Sequence, residues 1–175
     1  MGTLNLGTGV KLSSSGTAFG NSAASWSDAP PGTIIQYKYR TVTNSAFTTS
    51  STSPTDITDF YVDITPKNAN NLLVVSTNFT AGLNDADGYG RYRIVDANNS
   101  DTQWSSNTYM GASNYYANHS PSEWIEVVLK HTNVAGTTNP MRLQFQVRVA
   151  GGGGILDFGW STSDDRIVEV YEVAQ

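Results

Sequence analysis

The chain has 175 residues, a formal net charge of −5 and no cysteine, which is the size of one domain and excludes disulfides and thiolate metal sites. The negative charge argues against a surface that binds the phosphates of a nucleic acid. No run reaches the about 18 apolar residues of a membrane-spanning helix, and no secretory signal is recognised, so we expect neither a membrane partner nor a signal-directed export.

Residues 1–31 differ from the rest, because they combine glycine and small polar residues with isolated apolar anchors. Two alternating pairs flank Gly7-Thr8-Gly9 like short strand fragments, and the run Ala29-Pro30-Pro31-Gly32 ends any regular structure. We predict an extended N-terminal docking arm over 1–31; the alternative is a disordered tail. A purely solvated linker has no use for the anchors that we assign to docking: Leu4, Leu6, Val10, Leu12, Phe19 and Trp26.

From residue 32 the chain predicts strands and no convincing helix. The alternation of Phe60, Val62 and Ile64 with polar residues is typical of a half-buried strand. The same period predicts Leu143, Phe145, Val147 and Val149 inward, against Arg142, Gln144, Gln146 and Arg148. The predicted strands cover 32–43, 58–65, 72–81, 89–95, 124–131, 141–149, 155–160 and 166–173. Residues 32–175 are therefore expected to form an all-β, antiparallel, two-sheet sandwich, most naturally a jelly roll.

The stretch from Gln103 to Tyr116 mixes aromatic rings with Asn and Ser, as recognition surfaces do. It supplies a candidate recognition loop with Trp104, Tyr109, Tyr115 and Tyr116 as contacts. The alternative is that these rings cap the open end of the sandwich or lie in a subunit interface.

Catalytic signatures are missing from the sequence. The two histidines, His119 and His131, show no metal-binding spacing, and no G-x-S-x-G elbow accompanies them. The segment 82–88 weakly resembles a calcium loop but lacks its final Glu, so we predict a turn there. We expect no enzyme, no catalytic residue, no cofactor and no metal site.

One stretch resembles a known family. It contains G-T-I-I-Q at 32–36, then a Ser/Thr loop, then D-I-T-P-K-N-A-N-N-L-L-V-V at 63–75. This succession resembles a recurring module of tailed-bacteriophage virion proteins, and the later strands around 92–95 and 168–173 fit the same pattern.

The resemblance implies a trimeric jelly roll, similar in shape to the heads of complement C1q and tumour necrosis factor. Such modules occur in capsid decoration (cement) proteins, head fibres and tail-fibre tips. An arm of 31 residues could span about 100 Å when extended, enough to reach across a shell but not to build a shaft. The resemblance therefore favours a homotrimer on the capsid surface of a virion assembled in the host cytoplasm, with the major capsid protein as partner.

Two other functions remain open from the sequence. The protein could form the receptor-binding tip of a tail or head fibre and contact a host surface glycan or receptor through the aromatic loop. It could also be a carbohydrate-binding module. In the trimer interpretation we expect Tyr37, Tyr39 and Trp160 to contribute to the subunit interface, because a trimer would bury the apolar faces of edge strands.

Overall fold

The computed structural model describes residues 4–5, 11–12, 29–42, 47–83, 89–105, 110–113, 125–150, 155–158 and 166–175. Within these ranges the chain forms strands and one short 3-10 turn at Ala97–Asn99. The strands are β1 (Leu4–Asn5), β2 (Lys11–Leu12), β3 (Ile34–Val42), β4 (Phe47–Thr49), β5 (Thr55–Ile64), β6 (Leu72–Leu83), β7 (Tyr89–Asp96), β8 (Thr102–Gln103), β9 (Met110–Ser113), β10 (Ile125–Val134), β11 (Met141–Ala150), β12 (Leu156–Phe158) and β13 (Arg166–Val173).

The main strands pair as if one long hairpin had been rolled up. Strand β3 pairs with β13, β5 with β11, β6 with β10, and β7 with β9, every pair antiparallel. Strand β13 also pairs with β6, and β11 with β7, which joins these hairpins into two sheets. The first sheet has the order β3–β13–β6–β10 and the second β5–β11–β7–β9. The predicted all-β, antiparallel, two-sheet jelly roll is confirmed.

Three short strands extend this framework. Strand β12 pairs with the far end of β6 and β4 pairs with β12, which lengthens the first sheet. Strand β8 pairs with the last residues of β7 in the second sheet. The sequence analysis missed β4, β8 and β9, because they lie in polar or aromatic stretches without a sustained alternation.

The core lies between the inner faces of the two sheets. Phe60 contacts Phe79 and Phe145 edge-to-face, with ring centroids 5.7 and 5.2 Å apart, and Phe79 contacts Tyr92 at 5.1 Å. Aromatic pairs in this geometry stabilise by about 0.5–1.5 kcal/mol beyond the area that they bury. The aliphatic part of the same core includes Leu73, Val75, Ile94, Leu129, Leu143, Val147, Val168 and Val170.

The strict alternation that was predicted for β11 is wrong at Gln144 and Gln146, which are both buried. The pairing of β11 with β5 is irregular between these two residues, and Asp59 in β5 has a φ of 59°. The amide of Gln144 donates to the carbonyl oxygens of Ile57 (2.9 Å), Phe60 (3.2 Å) and Phe145 (3.0 Å). A buried glutamine therefore supplies hydrogen bonds that a regular β5–β11 ladder would have made.

The turn at 66–71 is held by a carboxylate from the other end of the chain. Glu172 is fully buried, and its Oε1 accepts hydrogen bonds from the backbone N–H of Lys67 (2.8 Å) and of Asn68 (3.2 Å) and from Asn71 Nδ2 (2.7 Å). Its Oε2 accepts from Lys67 N–H (3.0 Å) and from Gln36 Nε2. The phrase P-K-N-A-N-N thus forms a loop whose donors converge on one glutamate of β13.

The N-terminal fragments form the predicted short strands. Leu4 pairs with Leu12 and Asn5 with Lys11 in an antiparallel two-stranded sheet. Leu4–Asn5 and Lys11–Leu12 therefore lie side by side. A docking function for this arm stays a prediction.

Candidate interaction surfaces

The solvent side of the first sheet, here called the outer face, is unusually apolar. Of the large hydrophobic side chains that are exposed among the described residues, all but Ile155 belong to this sheet. They are Ile34 (58% exposed), Tyr37 (44%) and Tyr39 (62%) in β3, Val128 (69%) and Val134 (44%) in β10, and Ile167 (45%) in β13. Contiguous exposed apolar patches mark interaction sites, whereas isolated apolar side chains do not.

The register shows where these side chains lie relative to one another. One cross-strand row joins Tyr37, Tyr171, Val74 and Thr132. The next row toward the 66–71 turn joins Val173, Leu72 and Val134. Ile34, Tyr37 and Val134 therefore lie toward the 66–71 end of the outer face, whereas Val128, opposite Asn78, lies beyond the row that contains Ser76 and Lys130.

Charges lie on the neighbouring row, which joins Tyr39, Glu169, Ser76 and Lys130. Glu169 is surrounded by hydroxyl donors: its Oε2 accepts from Tyr37 (3.0 Å) and Tyr171 (3.1 Å), and its Oε1 accepts from Ser76 (2.8 Å). Burial alone would raise the pKa of Glu169, but these hydrogen bonds outweigh it and lower the pKa.

The contacts with Glu169 also hold the side chains of Tyr37 and Tyr171 in place. The Tyr37 ring stacks on Tyr39 (centroids 5.7 Å apart) and contacts Tyr171 (4.8 Å). Desolvation by these neighbours, followed by the hydrogen bond to Glu169, raises the pKa of Tyr37 to about 12. The hydrogen bond to Glu169 is also the main cause of the raised pKa of Tyr171. The hydroxyls stay protonated, and the rings form an ordered platform.

Tyr37 and Tyr39 are exposed on the edge strand β3, and their contribution to a subunit interface stays a prediction. Sequence reasoning missed Ile167, Tyr171 and the β10 valines. The alternation in β13 could have indicated the first two, because both of its faces carry large apolar residues.

Trp104 is not an exposed contact residue. It is 6% exposed and belongs to the core, where its ring meets His131 edge-to-face at 5.5 Å. Its backbone N–H donates to the Ile94 oxygen (3.0 Å), and its own carbonyl accepts from Asn133 Nδ2 (2.6 Å). Burial also lowers the pKa of His131. The Trp104 ring therefore packs inside the sandwich.

The other expected site residues lie outside the described structure. This applies to Leu6, Val10, Phe19 and Trp26 of the arm, to Tyr109, Tyr115 and Tyr116 of the aromatic loop, to Trp160, and to the turn at 84–88. Leu4 and Leu12 are described only as members of the paired strands β1 and β2.

A second surface feature is a cleft at the edge of the sandwich, between β3 of the first sheet and β5 and β11 of the second. It has a volume of about 580 Å³. Its charged lining consists of Lys38, Lys67, Arg142 and Asp63, and its uncharged polar lining includes Gln36 and Asn98.

Comparisons with known proteins give distant structural matches alone. No protein-family model matches the chain. No curated protein matches it either. Among solved structures, the chain is similar to a mutant VP2 protein of infectious bursal disease virus in derived T=1 particles, at 12% identity and a TM-score of 0.40. A second structure of T=1 particles derived from the same virus gives 10% identity and 0.43. Each match covers 81% of this chain but 37% of the viral one, well under two thirds of its length. At these sequence identities and TM-scores, the similarity supports no statement about the function of this chain.

In the described part of the chain no helix is long and apolar enough to cross a bilayer. The same residues contain no group of three or more His, Asp or Glu side chains placed to hold a metal ion.

Proposed function

We propose that this protein is a structural virion protein of a tailed phage, which decorates and stabilises the capsid as a homotrimer. The observation that carries the proposal is the concentration of exposed apolar side chains on the outer face. The phage-like phrases G-T-I-I-Q and D-I-T-P-K-N-A-N-N-L-L-V-V and the jelly-roll strand order support the virion assignment.

The outer face suits contact with further copies of the chain. Its apolar end, around Ile34, Tyr37 and Val134, would leave water on association, at about 25 cal/mol for each Å² that is covered. Its central carboxylate, Glu169, already accepts three hydroxyl hydrogen bonds, so covering it leaves no oxygen without a donor. In a closed trimer each subunit contacts its neighbours through two different surfaces, and the part of the outer face near the axis meets its copies there.

The arm at 1–31 is proposed to bind the major capsid protein. Its anchors would supply apolar contacts, and its backbone can pair with an exposed strand of the shell. The folded-back start of the arm, with Leu4 opposite Leu12, places two anchors at paired positions.

The first test is the mass of the purified protein in solution. We expect a species of three times the 18.8 kDa monomer mass at micromolar concentration. A monomer at that concentration would exclude the trimer. Deleting residues 1–31 should leave a folded trimer that no longer binds capsids; unchanged capsid binding would exclude the arm as the docking element.

The second test locates the protein by antibody or gold labelling on purified particles. Label spread over the shell at threefold or quasi-threefold positions is the expected result. Label confined to fibre tips would replace decoration by receptor binding, and absence of label on all particles would favour the carbohydrate-binding module.

A further inference from the structure

The edge cleft is a positive site on a negative protein. The chain carries a net charge of −5, yet the cleft is lined by three cationic side chains and one carboxylate. Its volume of about 580 Å³ lies within the about 300–1,000 Å³ typical of small-ligand sites. The charge balance of the lining therefore favours an anionic ligand.

Two of the cations are available to such a ligand. Arg142 is engaged, because its guanidinium pairs with both carboxylate oxygens of Asp63, at 2.9 and 3.2 Å, and lies 4.0 Å over the Tyr61 ring. The ammonium groups of Lys38 and Lys67 form no ion pair or hydrogen bond with any residue that the structure describes. Both side chains are exposed.

The neutral lining adds hydrogen-bond acceptors. The Gln36 amide nitrogen donates to Thr65 O (2.8 Å) and to Glu172, and the Asn98 amide nitrogen donates to Pro140 O (3.2 Å). With the nitrogens fixed in this way, each side-chain amide offers its oxygen as an acceptor. Hydroxyl groups of a ligand are the matching donors.

The backbone at the cleft does not suit a phosphate. Phosphate sites commonly use successive backbone N–H groups that point at the anion. Here the N–H groups of Lys67 and Asn68 already donate to Glu172. The groups of the cleft that remain available to a ligand are the ammonium groups of Lys38 and Lys67 and the amide oxygens of Gln36 and Asn98.

We infer that this cleft binds a carboxylated saccharide, such as a chain that contains uronic acid. Lys38 and Lys67 contact the sugar carboxylate, and Gln36 and Asn98 accept hydrogen bonds from sugar hydroxyls. The site lies at the edge of the sandwich, on different side chains from the apolar patch of the outer face. It does not depend on the trimer or on capsid binding.

The test is a titration of the ¹⁵N-labelled full chain, followed by NMR shifts of backbone amides. The probes are a disaccharide that contains glucuronic acid, the matched neutral disaccharide, sodium acetate and sodium phosphate, all at one ionic strength. We expect the acidic disaccharide to bind, with shifts centred on the backbone amides of Lys38, Lys67 and Asn98. Binding of the neutral sugar should be at least about tenfold weaker, because it lacks the charge-assisted contacts.

Two variants, one in the cleft and one outside it, check the assignment. The double variant Lys38→Gln/Lys67→Gln should weaken binding by at least about tenfold, whereas Lys130→Gln, on β10 of the outer face, should leave it unchanged. Three results would overturn the inference: no shifts with the acidic sugar, equal binding of the neutral sugar, or full binding by the double variant. Acetate or phosphate shifting the same amides with equal affinity would reduce the cleft to a site for small anions and overturn it as well.

Discussion

Replacing Glu172 with glutamine tests whether the carboxylate in the first sheet holds the 66–71 turn in place. The carboxylate is fully buried and accepts from two backbone N–H groups and two side-chain amides. Glutamine has nearly the same shape but exchanges one oxygen for a donor. If its carbonyl oxygen replaces Oε1, the contacts with Lys67, Asn68 and Asn71 persist, and its amide then meets the Gln36 amide, donor against donor.

The expected loss follows from these contacts. One hydrogen bond to a charged group disappears, worth about 1.5–3 kcal/mol, and the remaining ones lose the charge that strengthened them. We expect Glu172→Gln to lower the free energy of unfolding by about 3 kcal/mol, a large share of the about 5–15 kcal/mol of a typical domain. Glu172→Ala should cost more, about 4–5 kcal/mol, because all four donors then lose this acceptor.

Urea unfolding at one fixed protein concentration measures the difference, since association would otherwise shift the apparent stability. Glu126→Gln is the matched control, because Glu126 is exposed on β10 and its single amide contact, with Asn78, is long at 3.3 Å. The control should stay within about 0.5 kcal/mol of the parent. A Glu172→Gln protein as stable as that control would refute the reasoning.

Further predictions concern the outer face and the second sheet. Val128→Glu should split the proposed trimer into folded monomers, as measured by sedimentation, because it puts a charge in place of the most exposed large apolar side chain among the described residues of the outer face; a variant that stays trimeric would remove Val128 from the interface. The lowered pKa of Glu169 means that its stabilising contribution is present above the unfolded pKa near 4.5 and is lost as the pH falls through the lowered value. In Glu169→Gln the free energy of unfolding should therefore fall less at acid pH than in the parent, and an equal fall would contradict the assignment. Tyr37 should ionise near pH 12 in an absorbance titration, and its contribution to stability is lost as the pH rises from 10.0 through that value; Tyr37→Phe should remove this step. Gln144→Leu should cost about 2–3 kcal/mol, because it leaves buried carbonyls without a donor; a neutral result in urea unfolding would show that another donor replaces the amide.

The sequence was most informative where one face of a strand meets the core. Strand β11 was predicted at 141–149 and runs over Met141–Ala150, and the last strand was predicted with the bounds that the structure has. Period-2 alternation reports burial on one side, and both strands have a face in the core. The strand order does not follow from the sequence, because the same strand content fits other two-sheet sandwiches, and the choice of a jelly roll rested partly on analogy.

The burial of Gln144 and Trp104 depends on strand pairing between distant parts of the chain, which the sequence could not show. Gln144 is polar, and its burial depends on an irregular pairing with β5, which lies more than eighty residues away along the chain. Trp104 is aromatic and lies beside a short strand, and only the pairing of β8 with β7 turns it inward.

The alternation in β3 defines two faces without saying which of them meets the solvent. The register with β13 places Tyr37 and Tyr39 outside, beside Tyr171 and Glu169. The outer face is therefore a property of four strands together, and no single stretch of sequence encodes it.

The position of β13 also sets the order of events when the protein is made. This strand is the last of the fold to leave the ribosome, yet it lies between β3 and β6, two of the earliest. Until residue 173 is free, β3 lacks the sheet neighbour that the described residues give it, Glu172 is absent from the 66–71 turn, and the part of β6 that pairs with β13 remains open to other chains. Such distant pairings make folding slow. A nascent chain of this kind needs protection from aggregation until synthesis has passed its final strand, and a chain that stops short of β13 cannot complete the first sheet.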